Sequence, residues 1–108
     1  MKKFHLHPKR QQDRLHLEAL REFGCWACRE DGNGWVYAEA HHPRLPGQGT
    51  GVKAPDRDAI PLCPRLHHNV QTPDAYSIHR NPIEFRQRYG TEAEIRDQVA
   101  TSMARSAA

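Results

Sequence analysis

A chain of 108 residues has the length of one domain, and with 37% apolar residues and a mean hydropathy of −0.89 its single core is thin. No apolar run approaches the roughly 20 residues that cross a bilayer. No signal peptide is visible at the first residues and three cysteines cannot pair completely, so a cytoplasmic protein is expected, with no membrane and no disulfide framework. A formal charge of +3, a pI of about 9.0 and eight histidines admit a nucleic-acid partner.

Residues 1–10 carry Lys2, Lys3, Lys9 and Arg10, interrupted by Pro8. They read as a flexible basic arm that lies along phosphates or as a plain solvated terminus, ahead of a single domain at 11–105. Leu15, Ala19 and Phe23 recur at i, i+4 and i+8 with His16 and Leu20 alongside, which predicts a helix over 11–23, stopped by Gly24. The chain then enters Cys25-Trp26-Ala27-Cys28. Two thiolates at this spacing fit two corners of a tetrahedral zinc site. A redox reading requires a βαβ setting that the next residues do not offer. Glu30-Asp31-Gly32-Asn33-Gly34 is a turn cluster, and Trp35-Val36-Tyr37-Ala38 is a β-prone run that rises to Glu39-Ala40-His41-His42-Pro43.

Residues 45–55 form a glycine- and proline-rich loop, either a surface excursion or a flexible wall whose backbone and Lys53 approach a substrate. An extended segment over 56–63 then brings Cys63, the third thiolate. With no cysteine for the fourth corner, a histidine must close the site. His67 is favoured over His68, reaching the ion as a helix begins and turning His68 to another face; the plainer alternative is that both coat a helix end. Thr72-Pro73-Asp74 opens a turn or helix toward His79, and Asn81-Pro82 starts a helix through Ile83, Phe85, Arg86 and Tyr89 that stops at Gly90. Thr91-Glu92-Ala93-Glu94 matches a capping box for a last helix with Ile95, Val99 and Met103 on one face and a fraying tail at 105–108.

The ordered set of Cys25-x-x-Cys28, Ala40-His41-His42, the loop with Lys53 and Asp56, Ile60-Pro61-Leu62-Cys63, His67-His68, His79 and the Phe85 to Tyr89-Gly90 helix resembles HNH endonucleases. Among them it is most similar to the small phage and prophage group typified by the RecA-dependent recombination-enhancement nuclease Ref. The resemblance covers roughly residues 24–90 and leaves out the basic arm and the last helix. It implies an α+β fold with a ββα-metal core, braced by a zinc site and flanked by terminal helices. It also implies a metal-dependent DNA endonuclease, phage- or prophage-encoded, that acts in recombination or DNA processing, with DNA and a recombinase filament such as RecA as partners. Carried over by residue, His41 binds the catalytic metal and His42 is the general base. The middle position falls on Asp58, while Asp56 is the acidic position that the Ref-like group more often shares. The final histidine falls on His68, with His79 completing the metal site; Leu66 stands where the usual pattern has a further cysteine.

Phosphodiester hydrolysis needs an activated water and positive charge where the pentacoordinate phosphate develops. A neutral imidazole with a pKa near roughly 6.5 is a competent base at neutral pH. Imidazole ligands suit transition metals such as zinc, whereas a carboxylate from Asp58 or Asp56 shifts the balance toward magnesium or manganese, the ions expected here. That carboxylate has an alternative role, orienting His42 and selecting its tautomer. Lys2, Lys3, Lys9, Arg10, Arg44, Lys53, Arg57 and Arg65 are the phosphate-contact candidates, each against a solvated-surface reading. The alternative from another class is a catalytically inactive zinc module that binds DNA or protein. His42 discriminates, since a closed structural site gains nothing from an extra unligated imidazole.

Overall fold

A computed structural model describes residues 8–45, 49, 53–69 and 76–107. It shows an α+β chain in the order α1 (Pro8–Phe23), α2 (Trp26–Glu30), β1 (Glu39–His41), a 3-10 turn (Asp56–Asp58), β2 (Ile60–Leu62), α3 (Pro82–Tyr89) and α4 (Glu92–Ala107). Lys2 and Lys3, residues 46–48 and 50–52 of the glycine-rich loop, and Thr72-Pro73-Asp74 lie outside the described residues. No helix among the described residues is long and apolar enough to cross a membrane.

Helix α1 starts at Pro8, three residues before the expected position, so Pro8, Lys9 and Arg10 belong to the helix instead of an arm. Proline suits a first turn, where its missing N–H has no helical partner to lose. The buried stripe is also rotated from the one expected. Leu20 and Phe23 are buried and His16 sits beside them, but Leu15 is 57% exposed. The reason is polar: His16 Nε2 donates to the Ala59 carbonyl at 2.8 Å, which turns the 16, 20, 23 face inward and Leu15 out. Gly24 ends the helix at φ +83, a conformation that costs a residue without Cβ little.

The strand does not begin at Trp35. Within residues 35–38 the Val36 carbonyl takes the Cys25 amide at 2.9 Å, and pairing proper starts at Glu39. β1 and β2 are antiparallel, with Glu39 opposite Leu62, Ala40 opposite Pro61 and His41 opposite Ile60. The expected extended segment over 56–63 is likewise shorter, because Asp56–Asp58 winds into a 3-10 turn closed by the Ala59 amide on the Asp56 carbonyl. After Cys63 the chain makes a turn where a helix was expected; the amides of His67 and His68 both donate to the Cys63 carbonyl.

Helix α3 has Pro82 in its first turn and ends at Gly90. It buries Phe85 and Tyr89 and leaves Ile83 62% exposed. The capping box of α4 forms as predicted: Glu94 N donates to Thr91 Oγ1, and Thr91 N donates to Glu94 Oε1, each at 3.2 Å. Its tail stays helical through Ala107, and Ile95 and Val99 are buried. β2 is the hub, touched by α1, α2 and α4. The core therefore includes Leu20, Phe23, Ile60, Leu62, Phe85, Ile95 and Val99, and all three cysteines lie within it.

Candidate metal centres

Cys25 is the N-cap of α2 and accepts the Cys28 amide at 3.4 Å, which fixes the two sulfurs side by side. Cys63 follows β2, and the turn after it brings His67 back. These four buried residues put their donor atoms within 4.8 Å of one another. His67 Nδ1 lies 3.5 Å from Cys25 Sγ, 3.5 Å from Cys28 Sγ and 3.3 Å from Cys63 Sγ, and the Cys28 and Cys63 sulfurs are 3.7 Å apart. A tetrahedral ion with Zn–S of about 2.3 Å and Zn–N of about 2.0–2.1 Å has sulfur–sulfur edges of about 3.8 Å and sulfur–nitrogen edges of about 3.5 Å. The donor set fits zinc, with His67 in the fourth corner and Leu66, which is exposed, uninvolved.

The protons of the three thiols are unequally held. A hydrogen bond from the Cys25 thiol holds Cys63 well below the usual thiol range against the cost of burial, and His67 adds to the effect. The same bond, followed by burial, pushes Cys25 up; burial and then Cys63 push Cys28 up.

Behind His67 is a polar chain that sequence reasoning missed. Its Nε2 lies 3.0 Å from Tyr89 Oη, and that hydroxyl donates to Asp31 Oδ2 at 2.5 Å, so the phenol oxygen accepts the imidazole proton. Arg88 closes the chain with contacts of 3.1 Å to Asp31 and 3.2 Å to Tyr89. The arrangement leaves the lone pair of His67 on Nδ1, facing the sulfurs. Burial, and then the bond to Asp31, raise the Tyr89 phenol, which stays protonated. Asp31 read only as a turn residue and Tyr89 only as helix. The one usable signal was that a buried tyrosine hydroxyl seeks a partner.

The second group is His41, His68 and His79, whose nitrogens also lie within 4.8 Å of one another. His41 ends β1 and is buried, His68 is half-buried and His79 is exposed, so the group opens to solvent on one side. A short ladder delivers His79: Ile78 N donates to the His67 carbonyl at 2.9 Å and His79 N to the His68 carbonyl at 3.2 Å. His41 Nε2 meets Glu92 Oε2 at 3.0 Å, and His68 Nδ1 meets Glu39 Oε1 at 2.5 Å. Each carboxylate engages one ring nitrogen, which leaves Nδ1 of His41 and Nε2 of His68 available.

Burial pushes the Glu92 carboxyl up, but the bonds from His41 and from the Arg44 amide outweigh it and hold the group below the usual range. His79 is lowered, by burial first and then by His41 and His68. The group could hold a divalent ion, and an all-imidazole set fits a first-row transition metal better than magnesium. Glu39 could have been found from the sequence, because it precedes His41 by two and so shares its face of a strand. Glu92 could not, since its sequence context reads as the capping box.

His42 stands apart from both groups. Its Nε2 lies 2.5 Å from Asp56 Oδ1, and it is only half-buried. Of the two carboxylates weighed for this position, Asp56 is the one that reaches the imidazole, where it selects a tautomer and adds no ligand to the three-histidine group. Helix α1 steadies the turn that carries Asp56, since Asp13 accepts the Arg57 amide at 3.0 Å and lies 3.6 Å from its guanidinium. Arg57 is therefore paired, whereas Arg10, Arg44, Lys53 and Arg65 have exposed side chains. Comparisons with protein-family models, with curated proteins and with solved structures find no match for this chain.

Proposed function

We propose that the protein is a metal-dependent DNA endonuclease that hydrolyses phosphodiester bonds, with a structural zinc at Cys25, Cys28, Cys63 and His67. The observation that carries this reading is the division of labour between consecutive histidines: His41 joins His68 and His79, while His42 turns to Asp56. Asp56 accepts the hydrogen bond from the Nε2–H of His42, so Nδ1 keeps the lone pair that removes a proton from the attacking water. A divalent ion held by His41, His68 and His79 would supply positive charge for the phosphate and the departing 3′ oxygen. Glu92 and Glu39 hold two of those rings in place, and exposed Arg44, Lys53 and Arg65 are the phosphate-binding candidates.

The resemblance to HNH endonucleases supports the same chemistry and alone suggests a phage or prophage setting, a role in recombination and a recombinase filament as partner. Three free buried thiols support a reducing, cytoplasmic location. A plasmid-nicking assay with manganese, magnesium, cobalt or zinc tests the proposal: the wild type nicks, and His42→Ala does not while zinc content and helicity persist. Wild-type protein that is inert with every metal and DNA form, even beside a recombinase filament, sinks it in favour of an inactive zinc module.

A further inference from the structure

Trp35 is 61% exposed, yet its ring is fixed. Its Nε1 donates to the Glu22 carbonyl at 2.9 Å. The ring also lies so close to Gly24 that a Cβ there would come within 2.8 Å of both Cδ1 and Nε1. An exposed ring that is already immobilised loses little further entropy when a flat partner covers it. Trp35 walls a depression of about 520 Å³ with Arg29, Gly32 and Gly34, a size within the roughly 300–1,000 Å³ of small-ligand sites. Arg29 is fixed as well, its guanidinium 3.8 Å from the centre of the Phe23 ring and bonded to the Phe23 carbonyl at 3.1 Å.

Tyr37 is 55% exposed, whereas Val36 between the two aromatics is half-buried and Ala38 is buried. That alternation is the period of an extended chain, in which residues two apart on one face are separated by about 6.7 Å. The spacing is about twice the 3.4 Å rise per nucleotide of a B-form strand, and so suits a strand pulled out of its helical stack.

We infer that Trp35 and Tyr37 are a stacking site for two successive unpaired bases of a single-stranded nucleic acid, with Arg29 as the adjoining cation. The inference rests on the nuclease reading for its purpose and names the form of the substrate, a single strand led along residues 35–38 to His41. Bases inside a duplex keep their faces covered and cannot use these rings. Arg88 is already paired with Asp31, which leaves Arg29 as the cation that lines the depression.

The test uses full-length His42→Ala protein, zinc-loaded and without a second metal, titrated with oligo(dT) while tryptophan emission and oligonucleotide anisotropy are followed. Stacking quenches the exposed Trp35, while Trp26 in the core gives a constant background. Trp35→Ala is expected to weaken binding about 10-fold, Tyr37→Ala by less, and Trp35→Phe to restore most of the affinity; a duplex of equal length binds about 10-fold more weakly than the single strand. The inference is overturned if Trp35→Ala binds as the parent does, if duplex and single strand compete equally, or if no oligonucleotide binds, which would give the face to a protein partner. Cleavage is scored separately on wild-type protein. Quenched binding without hydrolysis removes the nuclease reading and leaves the stacking site, and hydrolysis with an indifferent Trp35 does the reverse.

Discussion

His67 and His68 are neighbours in the chain and serve different clusters: Nδ1 of His67 lies 3.3 Å from Cys63 Sγ, while Nδ1 of His68 lies 2.5 Å from Glu39 Oε1. Both amides hang from the Cys63 carbonyl, so one turn positions a ligand for each group.

Losing the first ion should therefore cost more than the first site. Cys63→Ser, or chelation of the wild type, is expected to unfold the domain, because structural zinc typically contributes about 10–16 kcal/mol of binding free energy to folding. Circular dichroism and metal analysis check this, and apo protein with full helicity would refute it.

Asp56 and Asp58 give a sharper test of the hydrolytic proposal. His42→Ala is expected to lower the nicking rate by about 10²–10⁴-fold, the usual share of a general base. Asp56→Asn should lower it by roughly 10-fold or more through loss of tautomer control, and Asp58→Asn should leave it nearly unchanged.

Glu92 reaches across 51 residues to hold His41. Glu92→Gln should weaken binding of the second ion by about 10–100-fold while α4 remains folded, since Thr91 and Glu94 still cap it. Titration calorimetry with manganese on zinc-loaded protein measures the change, and equal affinity would remove Glu92 from the site.

Tyr89→Phe deletes the hydroxyl between His67 and Asp31 and leaves the buried His67 Nε2 without that partner, while Asp31 keeps Arg88. A loss of about 1–3 kcal/mol in urea unfolding is expected. By contrast Leu15→Ala and Ile83→Ala, on the solvent side of their helices, should fall within about 0.5 kcal/mol of wild type, while Phe85→Ala should cost about 3–5 kcal/mol.

The grouping of Cys25, Cys28, Cys63 and His67, the capping box at Thr91 and Glu94, and the stops at Gly24 and Gly90 were legible because each depends on residues close in sequence or on ligand chemistry that few residue types supply. The gathering of His41, His68 and His79 was legible only through a resemblance. Apolar counting placed Leu15 inward because it gives no weight to an imidazole such as His16 that finds a carbonyl across the fold. β-propensity placed the strand at Trp35 because it does not know where a partner strand ends. Glu92 and Asp31 stayed hidden for a similar reason: a carboxylate that steadies a ring from another element leaves no periodic trace.

The middle residue of β2, Pro61, sits opposite Ala40 in a ribbon of only two strands. A prolyl nitrogen carries no hydrogen to offer, and this one lies fully buried in the strand that α1, α2 and α4 touch. Any other residue there would carry an N–H into that dry interior, a cost of about 1–3 kcal/mol unless a carbonyl meets it.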